Sequence, residues 1–190
     1  MRHKYETRGL VLARSHGGEA NTFVALLTSD LGLVHARAQS LRKTGAKLAA
    51  ALATLALSEI VLVRGKEGWR LTGAVLEENW FARLSREDGA RDRAARVSGL
   101  LLRLVVGEAQ DAEIFPITGS FLEALTTLPS DLHDAAEVLV VLRILATLGL
   151  DTGDIPGGVS DFSPAILFGV TESRKAYVAR INTGIAASGL

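Results

Sequence analysis

Apolar and polar positions alternate with a period of two through the first third of the chain and with a period near 3.6 thereafter. Five short runs make up the first part: Glu6–Arg14, Asn21–Thr28, Gly32–Gln39, Ala56–Arg64 and Trp69–Leu76. Each is bounded by Gly or polar turn residues, and this pattern predicts strands. In the first run Leu10 and Leu12 alternate with Gly9, Val11 and Ala13, so both faces are partly apolar, as in a closed or packed sheet. Gly65-Lys66-Glu67-Gly68 predicts a four-residue hairpin loop. In the connector between the third and fourth runs, Ala46 to Leu55 is rich enough in Ala and Leu for a short helix. Five strands with a helix at that place predict an oligonucleotide-binding type of barrel.

Beyond Glu77 the pattern becomes helical. Ala90, Ala94, Val97, Leu101 and Leu104 form one stripe of a helix predicted over Ser85–Glu108. A second helix, Ile117–Leu128, turns Phe121, Leu122, Leu125 and Leu128 inward and ends before Pro129. The third begins at Ser130, read as its N-cap, and Ala135 to Leu148 is apolar nearly all round, which predicts a central helix. Gly153, Pro156, Gly157, Gly158 and Pro164 predict a loop over Asp151–Pro164. A last helix, Glu172–Ser188, is expected to pack through Tyr177, Ile181 and Ile185. The expected fold class is therefore α+β, with an N-terminal five-stranded barrel over residues 1–79 and a C-terminal α-helical domain over 80–190.

The chain has 190 residues and 48% hydrophobic content, enough for one large domain or two small ones. Cysteine is absent, which removes disulfides, thiolate nucleophiles and Cys-bearing zinc sites, and fits a reducing compartment. Met1 to Tyr5 is polar and lacks a signal-peptide core. The run Ala135–Leu150 is broken by Glu137 and Arg143 and is shorter than the ~20 residues of a spanning helix. The expected location is the cytoplasm, with nucleoid association.

Charge is balanced overall, 21 bases against 21 acids, but not along the chain. Residues 1–80 carry 11 bases and 7 acids, and residues 81–190 carry 10 and 14. From Leu31 to Ser58 there are His35, Arg37, Arg42, Lys43 and Lys47 and no acid. The candidate DNA-binding residues are Arg14 at the end of strand one, Arg37 on strand three, Arg42, Lys43 and Lys47 on the connector, and Arg64 and Lys66 at the last hairpin. Cations spread around a small barrel neutralise phosphates with little sequence preference. Phe23 and Trp69 are candidate stacking residues, although Trp69 reads first as core. On the first long helix, Arg86, Arg93, Arg96 and Arg103 share a side, where Glu87, Asp88 and Asp92 are expected to pair with them within the helix.

Catalytic patterns fail in turn: no phosphate-binding Gly-x-x-x-x-Gly-Lys, no Gly-x-Gly-x-x-Gly, no Gly-x-Ser-x-Gly and no His-Glu-x-x-His. His3, His16, His35 and His133 have no metal-ligand spacing and are expected on the surface or in turns. Glu77-Glu78 and the pair Asp151 and Asp154 are expected to be solvated. No enzyme, no catalytic residue, no metal and no cofactor is expected.

Several pieces, in order and spacing, resemble the RecO family of bacterial recombination mediators. They are Thr7-Arg8-Gly9-Leu10-Val11-Leu12, Gly18-Glu19-Ala20-Asn21, Leu26-Leu27-Thr28 with Leu31-Gly32, and Ala38-Gln39-Ser40-Leu41-Arg42-Lys43 leading to Lys47-Leu48. Val61-Leu62-Val63-Arg64-Gly65 and Trp69-Arg70-Leu71-Thr72 follow. In the helical half the resemblance rests on Leu142 to Leu150 and on the terminal helix around Ile181-Asn182. The resemblance implies a DNA-repair role without covalent chemistry: binding single- and double-stranded DNA, annealing complementary strands, and engaging the tail of the single-strand DNA-binding protein. It also implies joining RecR to help RecA load on covered strands. Arg103 and Arg143 are the candidates for holding the partner tail. Two departures stand out: Ser40-Leu41 replaces a Gly-containing segment after strand three, and the four-cysteine zinc module of many members has no counterpart here. The alternative reading is a protein-interaction adaptor with little DNA affinity of its own. A nucleic-acid hydrolase is a third class, for which no cluster of carboxylates can be assembled.

Overall fold

The computed structural model describes residues 3–17, 21–39, 46–84, 89–108 and 112–189. It consists of an N-terminal five-stranded, OB-like β-barrel followed by an α-helical region. By contacts the chain forms two compact units, Met1–Arg83 with Val105–Gln110, and Leu84–Leu104 with Asp111–Leu190.

The barrel strands are β1 (Lys4–Gly17), β2 (Asn21–Thr28), β3 (Gly32–Gln39), β4 (Ala56–Gly65) and β5 (Gly68–Asn79). They close in the order β1-β2-β3-β5-β4. Alternation decides which side chains go inside: Val11, Val24, Leu26, Val34, Ala36, Ala38, Ile60, Leu62, Trp69 and Leu71 form one cluster, and the residues between them point outward. Gly9 lies against this interior, and a Cβ there would approach Ile60 Cδ1 to 2.7 Å. The short helix α1 (Ala46–Ala51) lies where the connector predicts one, and just beyond it Leu52 is fully buried in the barrel cluster. Leu55 then adopts φ 61°, a left-handed conformation that costs a non-glycine residue about 1–2 kcal/mol. The turn is held from both sides, since Leu55 N donates to Val11 O at 2.8 Å and Trp80 N donates to Leu55 O at 3.2 Å.

Several strand boundaries differ from the expected ones, and β1 extends beyond Glu6 and Arg14 at both ends because β4 pairs with it from Lys4 and β2 as far as Gly17. Gly65 pairs directly with Gly68, so the β4–β5 hairpin turns on Lys66 and Glu67 alone, with Gly68 at φ 98°. Strand β5 continues to Asn79, because β4 offers partners as far as Ala56.

The helical unit is built around α5 (His133–Thr147), whose Ala135, Ala136, Val138, Leu139, Val140, Leu142, Ile144 and Leu145 are buried. Around it pack α3 (Ala90–Leu104), α4 (Ile114–Thr127), α6 (Pro164–Glu172) and α7 (Arg174–Ala187). All five residues of the stripe expected on α3 are buried. That helix is shorter than expected at both ends, and a separate five-residue helix, α2 (Trp80–Leu84), precedes it. Gly89 at φ 76° and Gly107 at φ 72° lie just outside its two ends, in a conformation a helix cannot continue through.

Ser130 does not cap α5. It opens a 3-10 turn, Ser130–Leu132, and no side chain caps either element. α6 falls within a stretch the sequence pattern does not resolve as helical, where Pro164 sits at its first positions and Leu167 and Val170 are its buried contacts. α7 packs on α5 and is buried at Gly184, where a Cβ would meet Leu150 O, just beyond α5, at 2.9 Å and Leu145 Cδ1 of α5 at 3.2 Å.

Candidate nucleic-acid interface

Inward Val34, Ala36 and Ala38 send their neighbours His35 and Arg37 to the outside of β3. On β5, inward Trp69 and Leu71 do the same for Arg70. The parallel β3–β5 pairing sets Arg37 opposite Arg70, and the antiparallel β2–β3 pairing sets Phe23 opposite Arg37. With the β4–β5 turn, β3, β4 and β5 shape a cavity of about 620 Å³. Its lining includes Arg37, Arg64, Lys66 and Arg70, with Glu67 the single acid.

Three of the seven expected DNA residues, Arg37, Arg64 and Lys66, therefore meet at one place, and Arg70 joins them. Arg70 follows the last hairpin's cations in sequence, and strand parity sends it outward between two core residues. Arg14 does not line this cavity. The register shift between Val11 and Ala13 sets it opposite the core residue Val24, and it is half-buried. Arg42 and Lys43 lie outside the described residues, as does the side chain of Lys47.

The cations are not equally available. Arg64 Nη1 donates to Glu108 Oε2 at 2.6 Å and its guanidinium sits 5.2 Å from the Trp69 ring centroid. Glu108 also accepts from Trp69 Nε1 at 2.8 Å. That bond satisfies the indole N–H of a residue whose ring is in the barrel core, 7% exposed, and it removes Trp69 as a stacking surface. Tyr5 meets the same ring edge-on, with centroids 5.0 Å apart. Arg37 makes a long ion pair, 3.7 Å, to Glu67, whose side chain is 91% exposed, and an exposed pair of that length is weak.

The helical unit holds the two residues expected to seat a partner tail, in contrasting settings. Arg103 lines an open groove of about 850 Å³ between α3, α5 and α7, with Val97, Leu100, Val138, Val141, Ile181 and Ile185 as its apolar lining. Arg143 is buried, with Nη2 donating to Asp161 O at 2.7 Å and Pro156 O at 3.1 Å, and the guanidinium 4.7 Å from the Phe162 ring centroid. Burial pulls its pKa down from the ordinary arginine value. It anchors the loop between α5 and α6 and lines a smaller cavity of about 260 Å³.

Several expectations about charged groups are corrected by packing. Two of the α3 arginines pair across helices, Arg96 Nε donating to Glu137 Oε1 at 2.6 Å and Arg93 contacting both Glu137 and Asp134 of α5, while Arg86, Glu87 and Asp88 lie outside the described residues. Asp151 is not solvated; its side chain is 8% exposed and holds Arg180, with a 3.1 Å bond from Nε. Glu77, Glu78 and Asp154 keep access to solvent as expected, the first two also pairing with Arg8 and Arg83. His133 is buried at the start of α5, its Nε2 3.0 Å from Leu128 O. Among the described residues no group of three or more His, Asp or Glu could hold a metal ion, and no helix is long and apolar enough to cross a membrane.

Fold and surface together define a barrel of the oligonucleotide-binding type with a cation-rimmed cavity, followed by an all-helical unit. The family model described as Recombination protein O N terminal matches residues 1–79. The DNA repair protein RecO of Dehalococcoides mccartyi strain CBDB1 is 40% identical over 72 residues, covering 38% of this chain and 28% of the relative. That of Heliobacterium modesticaldum is 31% identical over 168 residues, covering 84% of this chain and 59% of the relative. That of Gloeobacter violaceus is 30% identical over 150 residues, covering 77% and 56%. The chain thus has RecO-family homology at moderate identity over part of its length, and it spans between about a quarter and three-fifths of these curated relatives.

Proposed function

We propose that this chain is a non-enzymatic DNA-binding mediator of repair and recombination. In this reading the barrel holds single- and double-stranded DNA through phosphate contacts, and two strands held on one cationic surface have their mutual repulsion screened, so that complementary strands anneal. The helical unit provides the partner surface, with the single-strand DNA-binding protein and RecR as direct partners and RecA served indirectly. Homology to proteins named DNA repair protein RecO supports the role. The observation that carries it is the cavity ringed by Arg37, Arg64, Lys66 and Arg70 on the outer surface of an OB-like barrel. Arg42, Lys43 and Lys47 extend the proposed surface along the connector, and Arg14 remains its furthest candidate.

Of the two tail-binding candidates, the open groove favours Arg103, since apolar lining suited to a peptide's apolar anchors lies beside it, while the groove's other arginines, Arg93, Arg96 and Arg174, are paired with Asp134 and Glu137. The guanidinium of Arg143 is already engaged by two carbonyls of its own loop.

The test is anisotropy of a labelled single-stranded oligonucleotide over a salt series, for the wild type and for Lys66→Ala/Arg70→Ala. Loss of two phosphate contacts reduces the slope of log affinity against log salt by about 1.4, roughly 0.7 for each. A wild type that fails to bind at low salt, or a variant with an unchanged slope, overturns the reading.

A further inference from the structure

On the proposed DNA surface one residue is out of keeping with the cations around it. Phe23 lies on the outer face of β2 between inward Thr22 and Val24, and it is 47% exposed. Register sets it opposite Ser15 on β1 and Arg37 on β3, and Arg37 opposite Arg70 on β5. An aromatic ring and two arginines thus occupy one row across four strands, and at about 4.8 Å between strands the arginines stand roughly 5 and 10 Å from Phe23. Trp69, which lines the cavity, has its ring in the barrel core, and Tyr5, 38% exposed, packs edge-on against that ring outside the row. Phe23 is the aromatic surface that this row offers to solvent.

An isolated exposed apolar residue needs no explanation. The row supplies one here, because a ring flanked on its strand-neighbour side by phosphate-binding groups has the arrangement that a nucleotide requires: a face for the base and cations for the backbone. We infer that Phe23 stacks one unpaired base while Arg37 and Arg70 hold the adjoining phosphates, so that this position gives the surface a preference for single-stranded over double-stranded DNA. Within a duplex the faces of the bases are covered by their neighbours, and only an unpaired base can turn onto the ring without breaking pairs and stacks. The phosphates are present in both forms. The cations therefore serve both, and Phe23 serves one.

This inference rests on the proposed DNA-binding role, and the experiment separates the two. Affinity and salt slope are measured for an oligonucleotide carrying 2-aminopurine and for its duplex, with the wild type, Phe23→Ala, Phe23→Leu, Phe23→Trp and Arg37→Ala/Arg70→Ala. Removing the ring is expected to weaken single-strand binding about tenfold, within the range for one base stacked on an aromatic side chain, and to leave duplex binding within about twofold. The salt slope of Phe23→Ala stays at the wild-type value because no phosphate contact is lost. Phe23→Leu keeps apolar bulk without a π face and behaves as Phe23→Ala, while Phe23→Trp restores binding and the 2-aminopurine quenching. The double arginine variant weakens both substrates and lowers both slopes. Equal losses on the two substrates, no loss on either, or wild-type behaviour of Phe23→Leu overturns the stacking inference while leaving the DNA role in place. Absence of wild-type binding to both substrates overturns both.

Discussion

Glu108→Gln is expected to raise DNA affinity, a direction that damage to the fold does not produce. Glu108 bonds Arg64 at 2.6 Å and Trp69 Nε1 at 2.8 Å, so one carboxylate neutralises a cavity cation and satisfies a core indole. A glutamine keeps the second function, because its amide oxygen accepts the indole N–H, and loses the first. The Arg64 and Glu108 side chains are 59% and 39% exposed, and an exposed pair of this kind contributes about 0–1 kcal/mol, so the fold loses little. Arg64 is released to contact a phosphate, which steepens the salt slope by about 0.7. The advantage of the variant over the wild type then shrinks about 2.6-fold as salt rises from about 50 to about 200 mM. Anisotropy on a single-stranded oligonucleotide measures it, with Trp fluorescence and thermal melting as controls for the indole environment. Unchanged affinity and slope in a variant with a wild-type melt would refute the claim that Glu108 holds Arg64 in check.

Two further expectations concern stability. Gly184→Ala gains about 1 kcal/mol of helix propensity but drives a Cβ to 2.9 Å from Leu150 O, a backbone atom that cannot swing away. Overpacking of this kind typically costs about 1–3 kcal/mol, so a lower melting temperature is expected, and a melt at or above the wild type's contradicts the close approach. The second is acid sensitivity. Asp151 and Asp134 are both held below the usual carboxylate value, first by side-chain hydrogen bonds from Arg180 and Arg174. A depressed carboxylate stabilises the fold fully above its unfolded pKa, near 4, and this contribution is lost as pH falls through the lower folded value. The arginine partners are raised and stay charged throughout. Asp151→Asn should melt below the wild type at neutral pH, with the gap narrowing towards pH ~2.5; a gap that is constant with pH would show that the charge of Asp151 contributes nothing.

Hydrophobic period alone, legible in the sequence, fixed where β2, β3 and the α3 stripe fall along the chain. Strands β2 and β3 fall on the residues that alternation predicts although Ala25, Leu27 and Leu33 are covered on their second face as well, and the α3 stripe is buried throughout, because a period of 2 or 3.6 over several residues marks the face that goes inside. Arg37 was legible for the same reason: with Val34, Ala36 and Ala38 inside, parity places it outside with His35. The tertiary structure decided what depends on residues far apart in the chain. Arg70 joins Arg37 through a three-residue parallel pairing, and Arg64 meets Glu108 across 44 positions, and no local pattern carries either distance. Whether a charge is available depends on its neighbours. Asp151 and His133 look like solvent-facing residues in one dimension and are buried against Arg180 and Leu128 O in three. Arg14 shows the same from the other side, since one register shift in β1 is enough to place it opposite a core residue. Hydrophobic period fixes which face of an element is covered, and only packing fixes what covers it.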